Sequence, residues 1–483
     1  MSLFSERLTQ YIESKHVKIA ALSRFLDYDR STLYRIMKGT RPPASLTQVQ
    51  SICQFLQLNP AETTALIDAY YATLHGEVCY AQHQSILALM NSFNLSTTPL
   101  DCPWSPRVSM VTDHCKFTTL DTPTALTAAF FRVVSEAVQI EDGSLELITQ
   151  PDCINLYSII DQLDVHGELL MTHLLCLDNT NGDASSATYN IDCLKQSLAL
   201  LSRHRGYRAF CYYDDVLAHF SPYSLYPCLV LSRQGAVLFD AQCTSGFFIQ
   251  TQDALNQLRS YTQRLKGHCI PMYQQCYGIM EEMAVYSNIL NEPCCVIEAI
   301  PCILPFVTED ILNRTICNAL PQREALIQLF LDYTGRQRER VLKTKSLLTS
   351  FTPQGLDYFV ETGRTPEIPD DFYHPLAPVD RLYLLKQVLL QIKTGRFRIM
   401  KMDQVHLHLN LVITTMAQHL LMTFHSNIPG DQSIVTAYLD EPHLVQAFAS
   451  FWENLGDYQC LYDLPESVAM VEERIARLES NRL

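Results

Sequence analysis

The chain has 483 residues, 47% hydrophobic and 18% charged, a balance that supports about three packed domains and excludes global disorder. Its net charge of −15 excludes a protein wrapped on all sides by nucleic acid and leaves room only for a local basic patch. Seventeen cysteines without a C-x-x-C pair, no recognisable signal peptide and no apolar run of about 18 residues lead us to expect reduced thiols in a cytoplasmic protein with no membrane span.

Residues 4–15 are predicted as an amphipathic helix with Phe4, Leu8, Tyr11 and Ile12 on one side. The next stretch, KIAALSRFLDYDRSTLYRIMKGTR from Lys18 to Arg41, reads as helix, turn and helix. Leu22, Leu26, Leu33 and Ile36 are placed to face one another across the turn, with Tyr28 beside them. Asp29 is a strong N-cap for the second helix, Gly39 suits a left-handed closing residue, and Pro42 and Pro43 forbid continuation. The face left free carries Arg30, Ser31, Thr32, Tyr34, Arg35 and Lys38, a shape suited to the DNA major groove. The plain alternative is a helical hairpin in an all-α domain. Charge placement favours DNA: residues 1–72 hold eight Lys/Arg against six Asp/Glu, so the head is +2 and the remaining chain −17.

The run Ser31-Thr32-Leu33-Tyr34-Arg35-Ile36-Met37-Lys38-Gly39 resembles the second helix of the Xre/Cro/CI repressor family, S-T-h-x-R-I-x-x-G with h apolar. The resemblance covers about the first 70 residues. It implies a five-helix lambda-repressor-like DNA-binding domain and a transcriptional regulator. Two positions depart from the pattern: Ser23 stands where the family has alanine, and Asp27 where it has the turn glycine. On this reading Arg30, Ser31 and Arg35 face base edges, Thr32 and Tyr34 lie at the margin, and Lys38, Thr40 and Arg41 meet the phosphate backbone.

Residues 46–56 give the fourth helix, apolar at Leu46, Val49, Ile52, Cys53 and Leu56. Asn59-Pro60-Ala61-Glu62 is a capping-box start for the fifth, which carries Leu66, Ile67, Tyr70, Tyr71 and Leu74. Helical character continues to Phe93 through Val78, Ile86, Leu87 and Met90, as a rigid connector, a dimer-forming helix or a helix packed on the body. Residues 94–106, with Pro99, Pro103 and Pro106, have linker composition, and Trp104 is expected to dock on a neighbouring domain.

Beyond residue 107 the pattern turns mixed α/β. Helices are expected over 122–138, 153–163, 192–202 and 253–265. Strands are expected over 145–149, 169–177 and 207–213, and a hairpin at 227–231 and 236–240 around Ser232-Arg233-Gln234-Gly235, then a strand at 247–249. Residues 179–186 read as a loop. A comparable order returns near the end: a short strand at 398–400, a hairpin at 407–414 and 419–424, a strand at 434–439, and a closing helix at 442–455. FIQTQDALNQLRSY and YLDEPHLVQAFASF end the two copies alike, which suggests a duplicated α/β lobe. Residues 272–290, 323–343 and 378–394 read as helices between them. The expected fold class is therefore α+β multidomain: a head at 1–75, a helical connector and linker at 76–106, and lobes at 107–270 and 271–483 serving as sensor or oligomerisation body.

No catalytic constellation emerges. His114, Lys116 and Asp121 form H-x-K-x4-D, the spacing of phospholipase D-type enzymes, but those need two such motifs and no second one exists in the body. There is no G-x-S-x-G, H-E-x-x-H or Walker A loop. His166-Gly167-Glu168 lacks a second metal-binding histidine, His406 and His408 read as one face of a strand, and Cys294–Cys295 and His268–Cys269 lack zinc spacing. We expect no catalytic residue, no metal and no cofactor. A duplicated α/β body behind such a head is similar, in architecture alone, to regulators whose phospholipase-like domain has lost catalysis and binds a ligand. Tyr207, Phe210, Tyr212, Tyr213, Phe220, Tyr223 and Tyr226 read first as core and sheet packing; the alternative is that some line an effector pocket, with Asp214 and Asp215 as polar ends. The leading expectation is a sequence-specific DNA-binding regulator that meets double-stranded DNA as a homodimer and takes a small-molecule or peptide effector, without a membrane partner. The alternatives are a DNA-tethered enzyme of phosphodiesterase type and a protein-interaction scaffold with a degenerate head.

Overall fold

The computed structural model describes residues 2–93, 116–179, 184–278, 280–281, 283–285, 292–344, 347–365, 368, 371–401, 406–431 and 433–480. The linker prolines, Trp104 and His114 lie outside the described residues. The described chain forms two compact units, residues 1–85 with 181–188, and residues 86–180 with 189–483.

The first unit is built on α1 (Leu3–Ser14), α2 (Ile19–Phe25), α3 (Arg30–Met37), α4 (Leu46–Phe55) and α5 (Pro60–His75). Ser2, Asp29, Ser45 and Asn59 cap α1, α3, α4 and α5 by accepting from backbone N–H groups that have no partner inside the helix. Asn59 and Glu62 complete the reciprocal capping box. Leu8, Leu22, Leu33, Val49, Ile52 and Leu66 are fully buried at its centre.

α6 (Glu77–Ser92) follows. Ile86, Leu87, Leu89 and Met90 are buried, the Phe93 ring lies 5.3 Å from that of Phe424, and Asn91 Oδ1 accepts from the His406 backbone N–H at 2.8 Å. The C-terminal half of α6 is thus packed within the second unit, which takes its apolar face away from the dimer contact considered for it.

The second unit contains two sheets. The first holds β1 (Phe117–Leu120), β2 (Ser144–Ile148), β3 (Leu170–Asp178), β4 (Tyr207–Asp214), β5 (Cys228–Leu231), β6 (Ala236–Phe239), β7 (Gly246–Ile249) and β8 (Ile270–Pro271), in the order β1-β7-β6-β5-β2-β3-β4-β8. The second holds β9 (Gln274–Tyr277), β10 (Cys294–Glu298), β11 (Leu347–Phe351), β12 (Phe397–Ile399), β13 (Val412–Met416), β14 (Leu420–His425) and β15 (Ile434–Leu439), in the order β12-β11-β10-β13-β14-β15-β9. The two match strand for strand. β2-β3-β4 and β10-β11-β12 are parallel. β5 and β13 lie antiparallel to the first strand of each trio, two hairpin-linked strands follow, and β1 and β9 close the far edge antiparallel to β7 and β15. The body is therefore a duplicated lobe, with β8 an addition to the first copy.

Helices fill the crossovers that parallel strands require. In the first lobe α7 (Pro123–Val138) precedes β2, α8 (Ile154–Leu163) and α9 (Ala184–Arg203) fill the two crossovers, and α10 (Val216–His219) and α11 (Gln252–Lys266) follow β4 and β7. The second has α12 (Glu309–Thr315), α13 (Arg323–Glu339), α14 (Pro353–Thr362), α15 (Pro378–Lys393), α16 (Pro442–Glu453) and α17 (Leu464–Ser480). Phe130 and Phe239 pack edge to face at 4.9 Å in the first lobe; Phe306, Phe351, Phe359 and Phe397 anchor the second. α14 starts hard against the sheet: Thr352 donates from N and Oγ1 to the Ala299 carbonyl, both at 3.0 Å. A Cβ on Gly355 would stand 1.8 Å from that same oxygen, so no larger residue fits there.

Several expectations need correction. Residues 272–290 do not form one helix, because β9 occupies 274–277 as an edge strand of the second sheet. Helix α9 begins at Ala184, inside the stretch read as a loop. His406 and His408 precede β13 and lie on no strand. The helix ending at Glu453 does not close the chain, since α17 follows.

Candidate nucleic-acid interface

The turn between α2 and α3 is braced from inside. Ser23, buried in α2, donates from Oγ to the Tyr28 carbonyl at 2.7 Å, and the Tyr28 N–H returns to the Ser23 carbonyl at 3.0 Å. The hydroxyl that departs from the family's alanine thus clamps the turn, a role the sequence pattern did not reveal. Asp27 holds the glycine-type position at φ 52°, a backbone that Asp tolerates better than most residues.

α3 begins under a double contact. Asp29 accepts from Thr32 N at 2.9 Å and from Thr32 Oγ1 at 3.1 Å. Hydrogen bonds from Ser31 and Thr32 hold the Asp29 carboxyl down at about 2, so the cap stays ionised at neutral pH. The helix closes in a Schellman turn: Gly39 N donates to the Ile36 carbonyl and Thr40 N to that of Arg35, both at 3.0 Å. Gly39 takes φ 71°, and a Cβ there would meet Ser2 N at 2.6 Å. This one position therefore requires glycine twice, for its backbone angle and for the approach of α1.

Between these ends, Leu33 and Ile36 point into the core while Arg30, Ser31, Arg35, Lys38 and Arg41 are exposed. Tyr34 is 47% exposed on the same helix, a large aromatic side chain left in solvent. Among the described residues no carboxylate forms an ion pair with Arg30, Arg35, Lys38 or Arg41, whereas Lys15 of the same unit is taken by Glu62 at 3.0 Å. The structure thus groups Arg30, Ser31, Tyr34 and Arg35 along α3 and puts Lys38 and Arg41 at its end. Thr32 and Thr40 differ: the Thr32 hydroxyl serves the Asp29 cap, and the Thr40 hydroxyl donates to the Arg35 carbonyl at 3.1 Å. Both are committed to the ends of the helix.

An exposed helix about 12 Å long, carrying cations at both ends and no acid on its free face, has the geometry of a major-groove reader. A family model matches here. Residues 3–66 form a helix-turn-helix domain. No curated protein matches the chain. Among solved structures, polyphosphate kinase from Porphyromonas gingivalis is similar at 10% identity over 70% of this chain and 50% of that one, with a TM-score of 0.23. This chain thus spans about half of that protein, a likeness too slight to bear on chemistry.

Among the described residues, no set of three or more His, Cys, Asp or Glu side chains is placed to hold a metal ion, and no helix is long and apolar enough to cross a membrane. Lys116 and Asp121 flank the edge strand β1 and are exposed. The aromatic run 207–226 divides. Tyr207 is fully buried, its hydroxyl 2.8 Å from His173 Nδ1, while His173 Nε2 meets Thr149 Oγ1 at 2.8 Å. Burial pushes His173 down to about 3, so this network is neutral and structural. Tyr213 donates to Glu441 of the second lobe at 2.8 Å, and Asp215 caps α10. Tyr226 borders an open groove, with His219, Leu258 and Tyr261. Asp214 lies 3.3 Å from His219 Nδ1.

Proposed function

We propose that this chain is a sequence-specific transcriptional regulator of the Xre/Cro/CI kind. The helix-turn-helix head reads an operator and the duplicated body senses an effector or assembles protomers. The carrying observation is the free face and end of α3: Arg30 and Arg35 on the helix and Lys38 and Arg41 just past it, all without carboxylate partners among the described residues, with both helix ends capped. Arg30, Ser31 and Arg35 take base edges, with Tyr34 at the margin. Lys38 and Arg41 take phosphates, and Thr32 and Thr40 hold the ends of the reader. The groove bordered by Tyr226, His219 and Tyr261 lies where the first parallel trio meets antiparallel β5, next to Ile148 at the end of β2. Effectors of α/β sheets characteristically bind at such a switch point, and we place the effector there, without catalysis.

Capture of sheared genomic DNA by the full-length protein, followed by sequencing, tests the reading. Enrichment of fragments sharing one sequence element is expected. Recovery of DNA with no shared element, or of none, would overturn sequence-specific regulation.

A further inference from the structure

Three cysteines far apart in sequence meet in the first lobe. Cys153 stands at the N-cap of α8 and Cys243 in the turn from Asp240 to Ser245 between β6 and β7; their Sγ atoms are 3.6 Å apart. Cys228, at the start of β5, is in hydrogen-bond contact with Cys153. Cys153 and Cys228 are buried, and Cys243 is half-buried at the edge of a groove that also exposes Asp152 and Asn155.

Both members of the close pair occupy positions that favour other residues. An N-cap prefers Ser, Thr, Asp or Asn, yet Cys153 makes no side-chain cap hydrogen bond. Cys243 has φ 55°, a left-handed backbone suited to Gly or Asn. The turn around it is rigid without help from the thiol: Asp240 accepts from Thr244 N and Oγ1 and from Ser245 N and Oγ, at 2.6–2.8 Å. Neither cysteine serves its local element, and each points at the other.

We propose that Cys153 and Cys243 are a reversible oxidation site, closing to a disulfide when the protein meets hydrogen peroxide. Cys243, the solvent-reached thiol, loses its proton and attacks the peroxide O–O bond. A sulfenic acid forms, and the released hydroxide takes up that proton as water. The Cys153 sulfur then attacks the sulfenic sulfur, the S–S bond forms, the S–O bond breaks, and a second water leaves with the Cys153 proton. Two thiols give up two electrons and the peroxide accepts them. The sulfurs close by little more than 1.5 Å to reach bonding distance. The bridge ties the head of α8 to the turn that feeds β7, across 90 residues of sequence. Hydrogen bonding to Cys228 first, and then burial, pushes Cys153 up, and hydrogen bonding to Cys153 first, and then burial, pushes Cys243 up. Both are therefore protonated at neutral pH, and oxidation needs sustained peroxide and runs faster as pH rises.

The test uses the full-length protein treated with hydrogen peroxide, quenched by alkylation and mapped by peptide mass spectrometry. A Cys153–Cys243 cross-linked peptide is expected, with the intact mass lower by two hydrogens and restored by dithiothreitol. Cys243→Asn suits the left-handed turn and should fold normally while losing the cross-link; Cys228→Ser should retain it. Full alkylation of Cys153 and Cys243 after treatment of the wild-type protein would overturn the proposal. So would a cross-link that joins either one to Cys228 instead.

Discussion

Arg30 and Arg35 carry the readout in this account, and each should lose about 1–3 kcal/mol of operator affinity when replaced by alanine, the worth of a good base contact. Fluorescence anisotropy on a captured fragment measures it, and unchanged affinity in both variants would mean that α3 is not the reader. On the proposed reading Lys38 meets the phosphates: Lys38→Ala should weaken binding to all sequences alike and reduce the slope of log K against log salt by about one. Loss confined to one sequence would put Lys38 on a base instead. Gly39→Ala should destabilise the protein by at least about 1–2 kcal/mol from its backbone angle alone, with the Ser2 contact adding to this; thermal denaturation checks it. At this scale the sequence was highly readable. Asp29, Gly39 and the capping box at Asn59 act through neighbours within a few residues, so their roles follow from local chemistry. The services of Ser23, Thr32 and Thr40 were missed because a hydroxyl looks the same whether it faces DNA or a carbonyl of its own backbone.

Among the elements, α8 and α9 are joined by a polar knot with a clear pH signature. His204, just past α9, bonds Asp164 at 2.8 Å and Asp161 at 3.0 Å, and Arg203 pairs with Asp161. Burial alone would lower His204, but the two carboxylates outweigh it and raise it above its ordinary value. Stability from a raised histidine is full below its unfolded value and is lost as pH rises through the folded one. Asp164 is lowered: burial opposes this, and its bonds to His204 and to the Glu168 and Leu169 N–H groups prevail. Its contribution is lost as pH falls into the acid range. Thermal stability should therefore decline as pH rises through and above the ordinary histidine range, and His204→Gln should flatten that decline. An unaltered slope in the variant would remove His204 as its source. Strand legibility followed burial. β3 and β5 sit inside their sheet and read as largely apolar runs, whereas β10 and β11 carry Glu298, Thr349 and Ser350 in buried positions and so gave no apolar alternation to read. β9 fell inside a stretch read as helix because a short edge strand has too few residues to show a period of two.

For the whole molecule, the duplication was visible in the matching ends of the two lobes, but only strand order and direction establish it, since that information lies in pairings far apart in sequence. The charge division has a consequence for assembly. A head of +2 on a body of −17 attracts DNA weakly, and one short reader contacts few base pairs. Two heads held together gain roughly 10²–10⁴-fold through effective concentration. With the C-terminal half of α6 packed within the second unit, we propose that two copies meet through the body. Sedimentation of the full chain at micromolar concentration should give a dimer, and a monomer that still binds a single half-site tightly would refute the arrangement.

The central claim is that the free face of α3 recognises DNA sequence. Its most direct test is a titration of the full-length protein and of the Arg30→Ala/Arg35→Ala double variant against a captured operator and a scrambled duplex, at two salt concentrations. The account predicts that the wild-type protein prefers the operator at both, and that the double variant binds the two duplexes equally and weakly. A double variant that keeps the operator preference would contradict it.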